Sequence, residues 1–200
     1  MTSSDMMKRI AEASPRFKAR MAGVFFFLIM LTAAFTELVV RGKLGFAGNI
    51  AADIVEVFSM VAVTLLLYGI FEPVNRSLSL LAACVNLVGL AFEAFQWQPR
   101  GVGVGLVLHG FYWLLIGYLI FRSTFLPRIL GALMAFASLD WLTYLSPPLA
   151  NHLSPYNLAS ALLAEGLVML WFLVMGVNVQ RWKEQAGAAG EWRSQRAMHI

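Results

Sequence analysis

The sequence predicts an all-α integral membrane protein, a polytopic bundle of six transmembrane helices with both ends on the cytoplasmic side. Three observations predict it. First, 60% of the 200 residues are hydrophobic and 13% charged, against roughly 45–50% and 25% in a soluble domain, and the mean hydropathy is +0.72. Second, six apolar runs recur, each close to the about 20 residues a helix needs to cross a bilayer. Third, the basic residues fall in alternate connections. A water-soluble fold is excluded, and the spans leave no length for a further soluble domain.

The first run, Met21 to Val40, follows a basic lead of Lys8, Arg9, Arg16, Lys18 and Arg20. It is longer than the 7–15 residues of a signal-peptide core, so it is expected to remain as a helix. Residues 1–20 are expected to lie on the inner membrane surface. The later runs are Ile50 to Phe71, Leu78 to Gln96, Val102 to Phe121, Leu126 to Leu145 and Tyr156 to Val179. A spanning strand needs only about 10 residues and alternates in polarity, so these long, evenly apolar runs are helices.

Between them lie helix-start signals. Pro73 follows Glu72, Pro127 follows Ser123 and Thr124, and Ser154 before Pro155 reads as an N-cap with proline at the first helical position. Gly42, Gly45, Gly48 and Asn49 mark the first loop, Pro99 to Gly105 the third, and Ser146 to Ser154 the fifth. The transmembrane domain thus spans 21–180. After Trp182 the charged, Gly- and Ala-containing tail, 181–200, is expected to be disordered.

With the N-terminus inside, inner segments hold Lys8, Arg9, Arg16, Lys18, Arg20, Arg76, Arg122, Arg128, Arg181, Lys183, Arg193 and Arg196. Outer loops hold only Arg41, Lys43 and Arg100. The positive-inside rule then sets the orientation, in a cell (inner or plasma) membrane. The excess of 15 Lys+Arg over 11 Asp+Glu gives +4. These cations sit near helix ends, which suits lipid headgroups and leaves no nucleic-acid footprint.

The stretch GYLIFRSTFLPRILG (Gly117 to Gly131), with Leu149 to Pro155 and EGLVMLWFLVMGVN (Glu165 to Asn178), resembles the bacterial membrane-protein family catalogued as domain of unknown function 4386. LLLYGIFEPVNRSLSLLA (Leu65 to Ala82) resembles the family's other inner hairpin. The resemblance covers most of the chain from the second run onward. It implies a multi-pass membrane fold, and that family has no assigned activity to carry over. Family members have a longer outer connection where this chain has only Gln98 to Gly101. The motif residues Arg122, Ser123, Pro127, Arg128 and Gly131 lie at the inner end of the fourth and fifth runs. They read either as a tight hairpin, with caps, a proline start and interfacial arginines, or as an inner-face binding motif.

Ionisable side chains inside a bilayer cost about 2.5–3.5 kcal/mol each on insertion scales, so their positions carry the functional reading. Glu37, Asp53, Glu56, Glu93 and Asp140 fall in outer halves of their runs, and Glu165 near mid-depth. His109 lies about two turns into the fourth run, at similar depth. Helical spacing aligns Asn86, Gly89, Glu93 and Gln96 on one face, Asp140 with Tyr144 on another, and Asn157, Ala161 and Glu165 on a third. Each stripe is expected to face the bundle interior, because lipid offers no hydrogen-bond partner.

One expectation is therefore an outward-opening polar cavity built from Glu93, His109, Asp140 and Glu165, with Asn86 and Tyr144. It would bind or transport a cation, a proton or a small polar ligand, and His109 would be a base or metal ligand. Carboxylates crowded in a low dielectric are what proton exchange near neutral pH requires. The competing expectation is that these groups pair separately as interhelical glue in a non-catalytic structural or partner-binding component.

No His-Glu-x-x-His or comparable metal spacing, no Gly-x-Ser-x-Gly and no phosphate-cradling loop occurs, so no catalytic residue, metal site or cofactor is assigned. Cys84 is the one cysteine, which permits no disulfide within the chain. Trp113, Trp141 and Trp171 read as packing and lipid contact. The expected partners are the bilayer, a small cation or proton, and a second copy of the chain.

Overall fold

The computed structural model describes residues 14–35 and 46–198. The described residues are helical throughout, joined by short turns, with no strand among them. The helices are α1 Pro15–Phe35, α2 Phe46–Phe71, α3 Arg76–Ala94, α4 Val104–Arg122, α5 Arg128–Leu142, α6 Pro147–Leu153, α7 Tyr156–Val174 and α8 Val179–Met198. Five of them, α1, α2, α3, α4 and α7, are long and apolar enough to cross a membrane. With 15 residues, α5 is shorter and continues into a 3-10 turn, Thr143–Leu145.

Each long helix packs on the next in sequence, and α5 packs on α7, which returns to α1. Six helices therefore close into a ring. Its centre is filled by Trp113, Tyr112, Leu67, Ile116, Met134 and Phe172, each at most 1% exposed. Phe26 of α1 stacks on Trp113 of α4 across it, with ring centroids 5.3 Å apart. The outer faces carry exposed Leu, Phe and Ile side chains such as Phe58, Phe111, Ile129, Leu163 and Leu170. Such a surface is costly in water and suited to lipid.

Small residues set the closest approaches. A Cβ at Gly117 would lie 2.9 Å from the Gly131 carbonyl oxygen, and one at Gly131 only 2.7 Å from that of Gly117. Seven residues along each helix, Gly110 faces the Ser138 carbonyl at 3.1 Å. This antiparallel seam fixes α4 on α5 by backbone contact, as small residues do between membrane helices.

Several boundaries differ from the sequence expectation. Ser14 Oγ accepts from Phe17 N–H at 3.2 Å and Pro15 opens α1, so Arg16, Lys18 and Arg20 belong to the first helix and not to a separate surface segment. Gly48 and Asn49 lie within α2 instead of the first loop. Asn75, not Pro73, caps α3, its Oδ1 accepting from Leu78 N–H at 3.0 Å. Ser154 does not cap α7: its N–H closes α6 on the Ala150 carbonyl, and Pro155 precedes the helix with no side-chain cap. The fifth loop itself holds α6.

The tail 181–200, expected to be disordered, is helical over its described residues. The sixth run ends at Gly176, whose φ of +67° turns the chain, and Asn178 Oδ1 accepts from Arg181 N–H to start α8. Trp182 Nε1 donates to the Ile70 carbonyl at 2.9 Å, and Gln185 Oε1 accepts from Thr124 N–H and Oγ1–H, both at 3.1 Å. A helix of such low hydropathy is held by these bonds to the ends of α2 and α4 more than by apolar burial. Glu37, Arg41 and Lys43, read as outer charges, lie outside the described residues.

Candidate functional site

The polar side chains meet along the inside of the ring. Thr64 on α2 donates to the Met60 carbonyl at 2.7 Å and accepts from Asn86 Nδ2 on α3 at 2.7 Å. Asn86 Oδ1 lies 3.1 Å from His109 Nδ1 on α4, and Trp113 Nε1, one turn on, donates to His109 Nε2 at 2.8 Å. An indole N–H only donates, so Nε2 is an acceptor and the proton of the neutral ring sits on Nδ1. Nδ1–H then donates to Asn86. Every bond from Trp113 to Met60 runs in one direction, an arrangement that polarises and strengthens its members.

The local sequence makes this reach possible. A Cβ at Gly105 would meet the Gly89 carbonyl oxygen at 2.9 Å, and one at Gly89 would meet the Gly105 oxygen at 3.2 Å. The resulting close crossing of α3 and α4 brings Asn86 and His109 within direct hydrogen-bond distance. With both ring nitrogens bonded, His109 has no free lone pair for a metal or a substrate proton. It joins α4 to α3, and Asn86 carries the connection on to Thr64 of α2.

A second polar group lies between α5 and α7. Glu165, at the middle of α7 and 3% exposed, accepts from Trp141 Nε1 at 2.5 Å. Asn157 and Ala161, on the same stripe, are also buried, so the expected inward face of this helix is observed. Asp140 Oδ2 accepts from Ser160 Oγ at 2.7 Å, and Asn157 Nδ2 donates to Thr143 Oγ1 at 3.0 Å. Tyr144 stacks on Trp141 at 6.0 Å and has no side-chain hydrogen bond among the described residues.

Trp141 connects the two groups. Its ring meets His109 edge-to-face at 5.2 Å while its N–H holds Glu165. Tyr112, packed against Trp113 at 4.8 Å, is 1% exposed, and its hydroxyl has no hydrogen-bond partner among the described residues.

The structure thus brings Asn86, His109 and Glu165 to one level of the bundle and sets the others apart. Asp140 is bonded to Ser160 nearer the end of the bundle that holds Thr143 and Asn157. Glu93 is exposed and packed against Gly105, one turn before His109 on α4, with Glu56 as a charged neighbour. Sequence reading missed Thr64, Tyr112, Trp113, Trp141 and Ser160 as polar partners. The signal was present for Trp113, four residues after His109, but Trp113 and Trp141 in apolar runs read as packing and lipid contact.

At the opposite end, Ser123 closes α4, its hydroxyl donating to the Ile120 carbonyl at 2.8 Å. Pro127 precedes α5, and Arg128 lies 5.6 Å over the Phe121 ring. Arg122 is exposed and complements the C-terminal end of the α4 dipole. These four residues form a capped, glycine-tight hairpin. Among the described residues no group of three His, Cys, Asp or Glu is placed to hold a metal ion. No family model, no curated protein and no solved structure matches this chain.

Proposed function

We propose that this is a six-span membrane protein with both ends in the cytoplasm, whose central carboxyl, Glu165, takes up a proton or a small cation from the acidic end of the bundle. The observation that carries the reading is the partner set of Glu165. It is buried at mid-helix and bonded to a neutral indole, with no Lys or Arg among the described residues paired to it. An anionic carboxylate so placed is costly, and a proton or a cation relieves the cost.

The topology is supported by charge and by length. Arg16, Arg20, Arg76, Arg122, Arg128, Arg181 and Lys183 gather at one end of the described bundle, while Asp53, Glu56, Glu93 and Asp140 lie towards the other with Arg100. That asymmetry fits the basic end inside. The 15 residues of α5 span about 22 Å, and the 3-10 turn adds about 6 Å, close to the about 30 Å of a hydrocarbon core. The Gly117 to Gly131 hairpin supports kinship with the domain of unknown function 4386 family and, with it, a bacterial inner membrane.

A second reading, a structural or partner-binding component, is favoured by the pairing of His109, Asn86 and Asp140 within the bundle. Thermal stability of the purified chain separates the two. Wild type is expected to change its melting temperature with pH and across a panel of monovalent cations and small amines, and Glu165→Gln to remain folded and lose that response. A wild type indifferent to every condition sinks the binding reading and leaves the structural one.

A further inference from the structure

The connection between α5 and α7 is built unlike a loop in water. From Trp141 to Ala164 the sequence has no Asp, Glu, Lys or Arg. Within it Leu145, Leu149, Leu153 and Tyr156 are all exposed, Tyr156 at 78%. Large apolar side chains gathered on a surface mark a place that something covers.

The connection has a defined structure. Asn157 Nδ2 donates to Thr143 Oγ1 at 3.0 Å, so the chain leaves and returns at one place, with α6 between. The Ser146 and Ala150 carbonyls accept from the Ala150 and Ser154 N–H groups, each at 3.0 Å, and form its turns. Ala150 is buried and sets one side of α6 against the bundle. Pro147 lies 3.8 Å from where a Cβ of Gly101 would stand, so α6 also meets the turn that follows α3. Leu149 and Leu153, four residues apart, share a face of α6, while exposed Asn151 lies opposite with exposed His152 beside it. Phe95 and Trp97, just before the turn that holds Gly101, are exposed as well and extend the apolar rim.

The length of α5 decides what covers the leucines. Its 15 residues and the 3-10 turn reach about 28 Å, just within the about 30 Å of a hydrocarbon core. On this count α6 starts at the edge of the core and not beyond the headgroups. Exposed Leu139 of α5 and Leu158 and Leu162 of α7 continue the same apolar surface down both flanks. A short uncharged helix with one apolar face, rimmed by Trp and Tyr, suits the boundary between lipid and water.

Resting on the six-span orientation, we propose that α6 is an interfacial anchor lying in the outer headgroup layer, with Leu149 and Leu153 in lipid, Asn151 and His152 in water, and phospholipid covering the rim.

Spin labels on single cysteines read the depth, in a Cys84→Ser chain reconstituted in phosphatidylcholine vesicles. At Leu149→Cys and Leu153→Cys dissolved oxygen is expected to relax the label more than a water-soluble nickel chelate does, as it does at Leu163→Cys on the exposed side of α7. The order reverses at Asn151→Cys and His152→Cys. A chelate that wins at all four α6 positions puts the helix in water and overturns the proposal. Shielding of Leu149→Cys and Leu153→Cys from both reagents means that protein covers them, and overturns it too. The unaltered chain gives a second reading: chymotrypsin on both faces of the vesicle is expected to spare Leu149 and Leu153, and cleavage there contradicts the anchor. A membrane-impermeant thiol reagent that reaches Asn151→Cys and Thr124→Cys from the same face defeats the sixth crossing alone, while the depth readings still decide the anchor.

Discussion

Trp113 Nε1 donates to His109 Nε2 at 2.8 Å, and this contact between neighbours one helical turn apart assigns the histidine its role. It fixes the tautomer and directs Nδ1–H at Asn86. The ring becomes a joint between α4 and α3, carried on to α2 by Thr64. The proposed chemistry therefore centres on Glu165, not on His109.

Replacing His109 with Leu leaves the Trp113 N–H and the Asn86 carbonyl unpaired inside the bundle. With interhelical hydrogen bonds in membranes worth about 0.6–1.7 kcal/mol each, the expected loss is roughly 1–3 kcal/mol. Denaturation in detergent measures it. Nitrogen NMR of ring-labelled histidine is expected to report a neutral ring protonated at Nδ1, and a cationic ring contradicts the assignment.

The glycine seam makes a sharper stability prediction. At Gly131→Ala a Cβ would sit 2.7 Å from the Gly117 carbonyl oxygen, so α4 and α5 must separate, at a cost of about 1–3 kcal/mol. Gly166→Ala is the control, because nothing lies within 4 Å of its added methyl. It is expected to stabilise α7 by up to about 1 kcal/mol through helix propensity. Equal effects of the two substitutions remove the seam from the account.

The C-terminal helix is expected to detach when its anchor is cut. Trp182→Phe keeps the apolar ring and removes the donor to the Ile70 carbonyl, a net loss of about 1 kcal/mol. Limited trypsin digestion reads it: cleavage at Arg181 and Lys183 is expected to accelerate while the bundle stays protected. Unchanged cleavage means that Gln185 and Asn178 suffice.

Much of the fold was legible in the sequence because a membrane helix declares itself by length and hydropathy, and the six runs mark the six helices of the ring. The ends were less legible. Ser14 opens α1 ahead of the apolar run that begins at Met21, and Asn75 caps α3 in place of Pro73, each through a single side-chain bond, and α8 forms because Trp182 and Gln185 find partners on α2 and after α4, contacts no local pattern contains. The buried stripe Asn157, Ala161 and Glu165 was readable from its spacing. Glu93, whose spacing from Asn86 suits an interior face, lies near the end of α3, exposed and packed against Gly105, a position that spacing alone does not give. The partners of Glu165 and His109 were hidden because indole donors look like packing.

Reporter fusions test the sixth crossing. A reporter inserted after Pro148 is expected outside, with reporters at both chain ends inside. A reporter after Pro148 on the same side as the Thr124 turn makes α5 a buried helix that does not cross.

Infrared difference spectroscopy of the Glu165 carboxyl tests the central claim most directly. The band is identified by its absence in Glu165→Gln and followed in the full chain, in bilayers, as pH and cation are varied. The account predicts a band that changes reversibly between protonated and carboxylate forms as protons or cations exchange with solvent. A band that holds one form and one frequency under every condition contradicts it, and makes Glu165 a sealed structural partner of Trp141.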